Sequence, residues 1–228
     1  MVLAIVLLAG GISAQAEARS KPDRDRLITY AEAELLLAKA RQTAGPENLP
    51  LVLNDQVLQL MNRMLASRSG RATMRRALAE MSVHRAVIER IFRAHSLPVE
   101  LLAIPIVESG YRNLPEGNGP NRSAGLWQFI KGTARAYGLK VGKDEDERLN
   151  VVRSTRAAAA YLTSLRDRFD DWYLAIAAYN IGEGAVEDLI ESEGTNDPWQ
   201  FARARRIPDY LARMMVAMLV MRDPTLLN

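Results

Sequence analysis

Glu108 closes an apolar run, Leu101-Leu102-Ala103-Ile104-Pro105-Ile106-Val107, and is followed directly by Ser109. Burial beside such side chains disfavours the ionised carboxylate and raises its pKa. A glutamate that keeps its proton near neutral pH is what acid-catalysed cleavage of a glycosidic bond requires. Gln128 stands twenty residues later, at the end of Gly125-Leu126-Trp127-Gln128, and Tyr179-Asn180 precede Ile181-Gly182-Glu183-Gly184. The amides of Gln128 and Asn180 can each donate and accept hydrogen bonds, as recognition of sugar amides and hydroxyls demands. Read alone, they serve equally well as turn-stabilising amides, and Tyr179 as a core ring.

Composition narrows the alternatives. The 228 residues include no cysteine, which removes thiolate catalysis, disulfides and zinc–cysteine sites. His84 and His95 lie eleven apart with no acidic partner in a ligand pattern, so they read as surface or partly buried helix residues and no metal is expected. A net charge of +3, with acids and bases interspersed, gives no reason to expect nucleic acid as a partner. Arg203-Ala204-Arg205-Arg206 reads as a solvated basic turn, and residues 144–147 as a salt-bridged segment without a second catalytic carboxylate. Trp127, Trp172 and Trp199 read as core.

The elements that must position these groups are helices. Residues 27–42 carry apolar side chains at helical spacing, and a second helix starts at Asn54 as N-cap and reaches Ser69-Gly70. A third covers 71–95, with breaks. Leu97-Pro98 opens the helix that carries Glu108, and Pro105 is expected to kink it. Residues 111–124, with Pro115, Gly117, Gly119 and Pro120, form a long loop. Short or medium helices follow at 133–138, 157–168 (capped by Ser154 or Thr155), 172–180, from 185 to 190, and 208–221, the last with a methionine-rich apolar stripe. No stretch alternates with period two, so the fold class is all-α. At the N-terminus, the apolar run 2–12 and Ala14-Gln15-Ala16 read as a secretory signal peptide, which places the chain in the periplasm or outside the cell.

Three motifs in order carry a resemblance. Leu102 to Tyr111 (LAIPIVESGY), Ala124 to Ile130 (AGLWQFI) and Ala177 to Gly184 (AAYNIGEG) resemble those of the lytic murein transglycosylases related to goose-type lysozyme, most closely the membrane-bound transglycosylase D type. The likeness runs over about 81–221. It implies a lysozyme-like helical catalytic domain at 81–228, preceded by a signal peptide at 1–16 and an N-terminal helical extension at 17–80.

What the resemblance implies chemically is cleavage of the β-1,4 bond between N-acetylmuramic acid and N-acetylglucosamine in peptidoglycan, leaving a 1,6-anhydromuramoyl end. Glu108 is then acid first and base second, with no metal and no cofactor. Gln128, Tyr179, Asn180, Tyr210, Ser109, Ser123 and Ile130 become candidate substrate-binding residues, Ile130 on a groove wall or in plain core packing. The partners are peptidoglycan glycan strands. Peripheral association with the cell envelope is compatible with this, and oligomeric state stays open. The serine that aims the catalytic glutamate in many relatives has no counterpart, since Gly117 or Gly119 stands there; Ser123 and Asn118 are the alternatives. Relatives also carry Glu-Thr before the groove tyrosine, where this chain has Arg206-Ile207-Pro208-Asp209-Tyr210. A hydrolytic muramidase, or a catalytically weak glycan-binding or secretion-scaffold protein, are the rival readings.

Overall fold

The computed structural model describes residues 26–42, 48–119 and 121–228, so the expected signal peptide lies outside the described residues. Ten α-helices make up those residues, with no β-strand among them beyond isolated bridges. They are α1 (Tyr30–Gln42), α2 (Asp55–Met61), α3 (Arg68–Ala94), α4 (Ala103–Ser109), α5 (Lys131–Ala136), α6 (Val151–Phe169), α7 (Trp172–Ile181), α8 (Glu183–Glu193), α9 (Pro198–Arg203) and α10 (Tyr210–Arg222). None of the described helices is long and apolar enough to cross a membrane.

Helix α10 is the hub. Positions 210–212 and 214–220 are all buried, so the helix is enclosed nearly all round and does not show the single methionine stripe expected from its sequence. It packs on α4, α2, α7, α1 and α3. A helix hydrophobic on every side has no solvent face to satisfy and belongs in the centre of a bundle. Its far end is anchored by Arg222, which donates to Glu100 Oε1 at 2.9 Å and to the Leu49 carbonyl at 2.7 Å. Glu100 lies in the 3₁₀ turn Val99–Leu102 that leads into α4, so this pair fixes α10 against the approach to Glu108.

Several helix boundaries differ from expectation for local reasons. The expected second helix divides: α2, capped by Asn54 through Val57 N–H at 3.0 Å, runs into the π turn Asn62–Ala66 and stops at Ser67. Ser67 then caps α3, which runs for 27 residues without the breaks expected within it. Helix α6 starts earlier than expected because Asn150 caps it, its side chain accepting from Arg153 N–H at 3.0 Å. Ser154 and Thr155 are buried inside that helix instead. Pro105 produces no mid-helix kink. It is the third residue of α4, where its missing N–H would have had no helical partner anyway, and the break falls at the 3₁₀-to-α junction before Ala103. Helix α9, capped by Asp197 with Pro198 in its first turn, has no counterpart among the expected elements.

The segment after Glu108 is held by an ion cluster. Arg148 is fully buried and donates to Asp146, to Glu116 and to the carbonyls of Arg122 and Phe129. Glu116 also pairs with Lys131 and Arg122, and the Arg148 hydrogen bond first, then these two cations, lower its pKa to about 2. The loop 111–130 is thereby closed on itself and tied to the 3₁₀ turn Glu147–Leu149. Gly125, at φ +80°, passes so close that a Cβ there would lie 2.0 Å from the Arg148 carbonyl oxygen.

Two outcomes follow for stability. Gly125→Ala should destabilise by on the order of 2–4 kcal/mol, through backbone collision plus left-handed strain, whereas Gly132→Ala in α5, where a Cβ meets nothing, should be neutral or stabilising; urea melts measure both. Because the folded pKa of Glu116 lies below the ordinary 4.5, its contribution is present above that value and disappears as pH falls through about 2, so Glu116→Gln should flatten the acid limb of stability.

Candidate active site

Helix α4 delivers Glu108 and then reverses at once. Gly110 ends the helix in the left-handed region at φ 62°, and Tyr111 N–H closes back to the Pro105 carbonyl at 3.0 Å. Tyr111 is itself left-handed, its ring is buried, and its hydroxyl donates to the Leu102 carbonyl at 3.0 Å. This turn leaves the Glu108 carboxyl half-buried at the edge of the core.

The polar partner of Glu108 is Tyr210, whose hydroxyl donates to Oε1 at 2.7 Å across 102 residues of sequence. Burial pushes the Glu108 pKa up to about 7, against the opposing pulls of the Tyr210 hydrogen bond and the Arg213 charge one turn along α10. At neutral pH the group is therefore poised between its two protonation states, as suits a residue that must give and then take a proton. Neither Ser123 nor Asn118 aims the glutamate. Ser123 donates to Gln128 Oε1 at 2.9 Å, and no hydrogen bond joins it to Glu108. Tyr210, expected on the groove wall, is only 5% exposed and acts from behind the carboxyl.

Glu108 opens onto a cleft of about 440 Å³, lined also by Ser123, Gln128, Ile130, Tyr179 and Asn180. The structure therefore brings together five of the seven other expected residues. Gln128 sits at φ 52° and donates to the Gly125 carbonyl at 2.7 Å, so its turn role and its cleft position coexist. The Tyr179 hydroxyl donates to the Trp127 carbonyl at 2.8 Å; burial and the nearby Glu108 hold its pKa well above the usual tyrosine value. Asn180 is exposed on the lining, and Ile130 is 42% exposed, a lip residue and not core packing. Ser109 is the exception: it is buried, and its hydroxyl is within hydrogen-bond reach of the Leu126 carbonyl at 2.8 Å and the Pro105 carbonyl at 3.2 Å. It straps α4 to the Gly125–Gln128 turn and is not presented to the cleft.

Among the lining residues that were not candidates, three stand out. Phe129 and Tyr161 join Tyr179 in an aromatic wall, with ring centroids 5.5 to 6.4 Å apart. Glu183 lies on the same cleft and accepts from the Tyr161 hydroxyl at 3.0 Å, so the site does hold a second carboxylate. Its position inside the Ala177–Gly184 motif was the available signal, masked by the glycines on either side. Trp127 is core, bonded to Thr155 Oγ1 at 3.0 Å, and Trp172 is only half-buried beneath the Arg166 guanidinium.

The Transglycosylase SLT domain profile matches residues 85–202. The membrane-bound lytic murein transglycosylase D of Escherichia coli K12 is 37% identical over 128 residues, 54% of this chain and 28% of that protein. The membrane-bound lytic murein transglycosylase F of Idiomarina loihiensis is 34% identical over 128 residues, 50% of this chain and 26% of the relative. This chain thus spans less than a third of the length of either curated relative. Among solved structures, an inactive mutant of the lytic transglycosylase Slt from Pseudomonas aeruginosa superposes with a TM-score of 0.50 over 84% of this chain and 41% of its own, at 20% identity, a likeness of fold.

The titration of Glu108 gives a stability signature. Its folded pKa lies above the ordinary 4.5, so the stability that accompanies the protonated form is full below that value and is lost as pH rises through about 7. Glu108→Gln should therefore raise stability above pH 7 by on the order of 2–3 kcal/mol and leave it unchanged at pH 4, as read from chemical unfolding at both pH values. Tyr210→Phe should push the Glu108 pKa higher still, which carboxyl-resolved NMR titration would detect.

Proposed function

Because this chain belongs to the transglycosylase SLT domain family, we propose that it acts on peptidoglycan, cutting the N-acetylmuramoyl–N-acetylglucosamine β-1,4 bond without water and leaving a 1,6-anhydromuramoyl end. The observation that carries this reading is Glu108, poised near pH 7 on the cleft and aimed by Tyr210.

The steps are these. The protonated Glu108 gives its proton to the glycosidic oxygen as the C1–oxygen bond breaks, and the substrate's N-acetyl oxygen bonds to C1. The 6-hydroxyl then attacks C1, the acetamido oxygen leaves, and Glu108, now a carboxylate, takes the hydroxyl proton and is restored. Tyr210 is a positioning residue in this scheme. Gln128, Tyr179 and Asn180 hold the sugar beside the glutamate, with Ile130 and the Phe129–Tyr161–Tyr179 wall as apolar surface for the sugar face. Ser123 supports Gln128. The expected site of action is the periplasm.

Glu183 favours a second reading, hydrolysis by a muramidase in which that carboxylate activates water. Its engagement by Tyr161 argues against it. The two readings part on products and on variants. Digested sacculi should yield anhydro ends by mass spectrometry, and reducing muramic ends would establish the muramidase. Glu108→Gln should lower turnover by roughly 10²–10⁴ or more, while Glu183→Gln should leave it largely intact. Retention of lysis by Glu108→Gln would end both readings. Activity should fall as pH rises through about 7, where Glu108 loses its proton, and in Tyr210→Phe that limb should move to higher pH.

A further inference from the structure

A general acid acting on the oxygen between two sugars has sugar on both sides, and Glu108 also lines a second cleft of about 530 Å³ whose other lining residues differ from those of the first. Its walls are the turn after Glu108 and the first half of α3, through Thr73, Arg76, Ala77, Glu80, Gly110 and Arg112. It shares Thr73, Ala77, Ile106, Val107 and Gly110 with an adjoining apolar pocket of about 270 Å³, whose rim carries Arg63 and Arg213. The α3 residues here precede position 85, where the family match begins.

The charges are unevenly committed. Asp209 holds Arg213 at 2.9 Å and approaches Arg63 at 3.8 Å. Arg76 and Arg112 are exposed, and neither has a carboxylate within ion-pair distance among the described residues; Arg112 Nε donates only to the Ser109 carbonyl at 3.2 Å. Glu80 is the one acid on this cleft besides Glu108. Two guanidinium groups without carboxylate partners on the cleft that Glu108 lines suit a carboxylate, which arginine binds in a bidentate fork. The sugar rings of the glycan are neutral. Its carboxylates belong to the peptide stems or, where stems are absent, to the bare lactyl groups.

We propose that the α3-side cleft binds a carboxylate carried by the glycan beyond the scissile bond, with Arg76 and Arg112 as the specificity-determining residues and the adjoining apolar pocket taking the alkyl part of a peptide stem. This rests on the reading of the chain as a peptidoglycan-cleaving enzyme, so the test includes a binding measurement independent of turnover. In the Glu108→Gln protein, affinity for a soluble stem-bearing glycan fragment should fall roughly tenfold when Arg76→Ala and Arg112→Ala are added, and should weaken with salt. With Glu108 intact, the same double change should raise KM about tenfold with little change in kcat. Amidating the stem carboxylates should abolish the difference between the two proteins. If the difference persists on glycan stripped of stems, the lactyl carboxylate is the group bound; if it vanishes there, the stem is. Equal affinities on every substrate overturn the proposal, whatever the products. Arg76→Gln alone, on an exposed face of α3, should give a smaller loss in the same direction and guards against a folding defect in the double variant; no loss from it counts against the proposal.

Discussion

A carboxyl keeps its proton at neutral pH only where water is scarce, and Glu108 reaches such a place because α10 is driven into the middle of the bundle. The single hydrogen bond from Tyr210 is possible only there. Burial of the helix on every side fixes its depth, and the Arg222–Glu100 pair at its far end fixes it against the segment leading into α4. The geometry of the candidate site is thus a by-product of core packing: the same apolar contacts that stabilise the fold also set the acidity of one glutamate. The opposing pulls of Tyr210 and Arg213 keep its pKa from rising beyond the useful range.

The cleft wall depends on a different kind of bond. Between the buried Tyr111 and the buried stretch from Ala124 the loop offers few apolar side chains, and Arg148 holds it by meeting two carboxylates and two backbone carbonyls at once. A buried charge is tolerable only when fully paired, and this one is paired from four directions. Its return is precision, since the Gly125–Gln128 turn is seated directly on the Arg148 carbonyl and carries Gln128 into the cleft.

Much of this was legible in the chain. The apolar approach to Glu108, the all-helical class and the gathering of Gln128, Tyr179, Asn180, Ser123 and Ile130 could all be read from residue types and order. What could not be read depended on facing surfaces. Periodicity says that α10 is apolar but not that every side is covered. Ser109 looks available beside the candidate acid Glu108 until its hydroxyl is found spent on the Leu126 carbonyl. The missing serine partner left the orientation of Glu108 open because its replacement comes from the other end of the chain. Glu183 was hidden by glycine neighbours that suggest a turn, and the basic cleft by lying on a helix assigned to an extension.

The distance in sequence between Glu108 and Tyr210 has a kinetic meaning. Contacts that close long loops form late, after local helices have already condensed. Without α10 in place the burial that raises the Glu108 pKa is missing, and the carboxyl has the acidity of an exposed glutamate. The raised pKa therefore depends on the long-range docking of α10, and a chain in which that contact is open carries an ordinary glutamate at position 108.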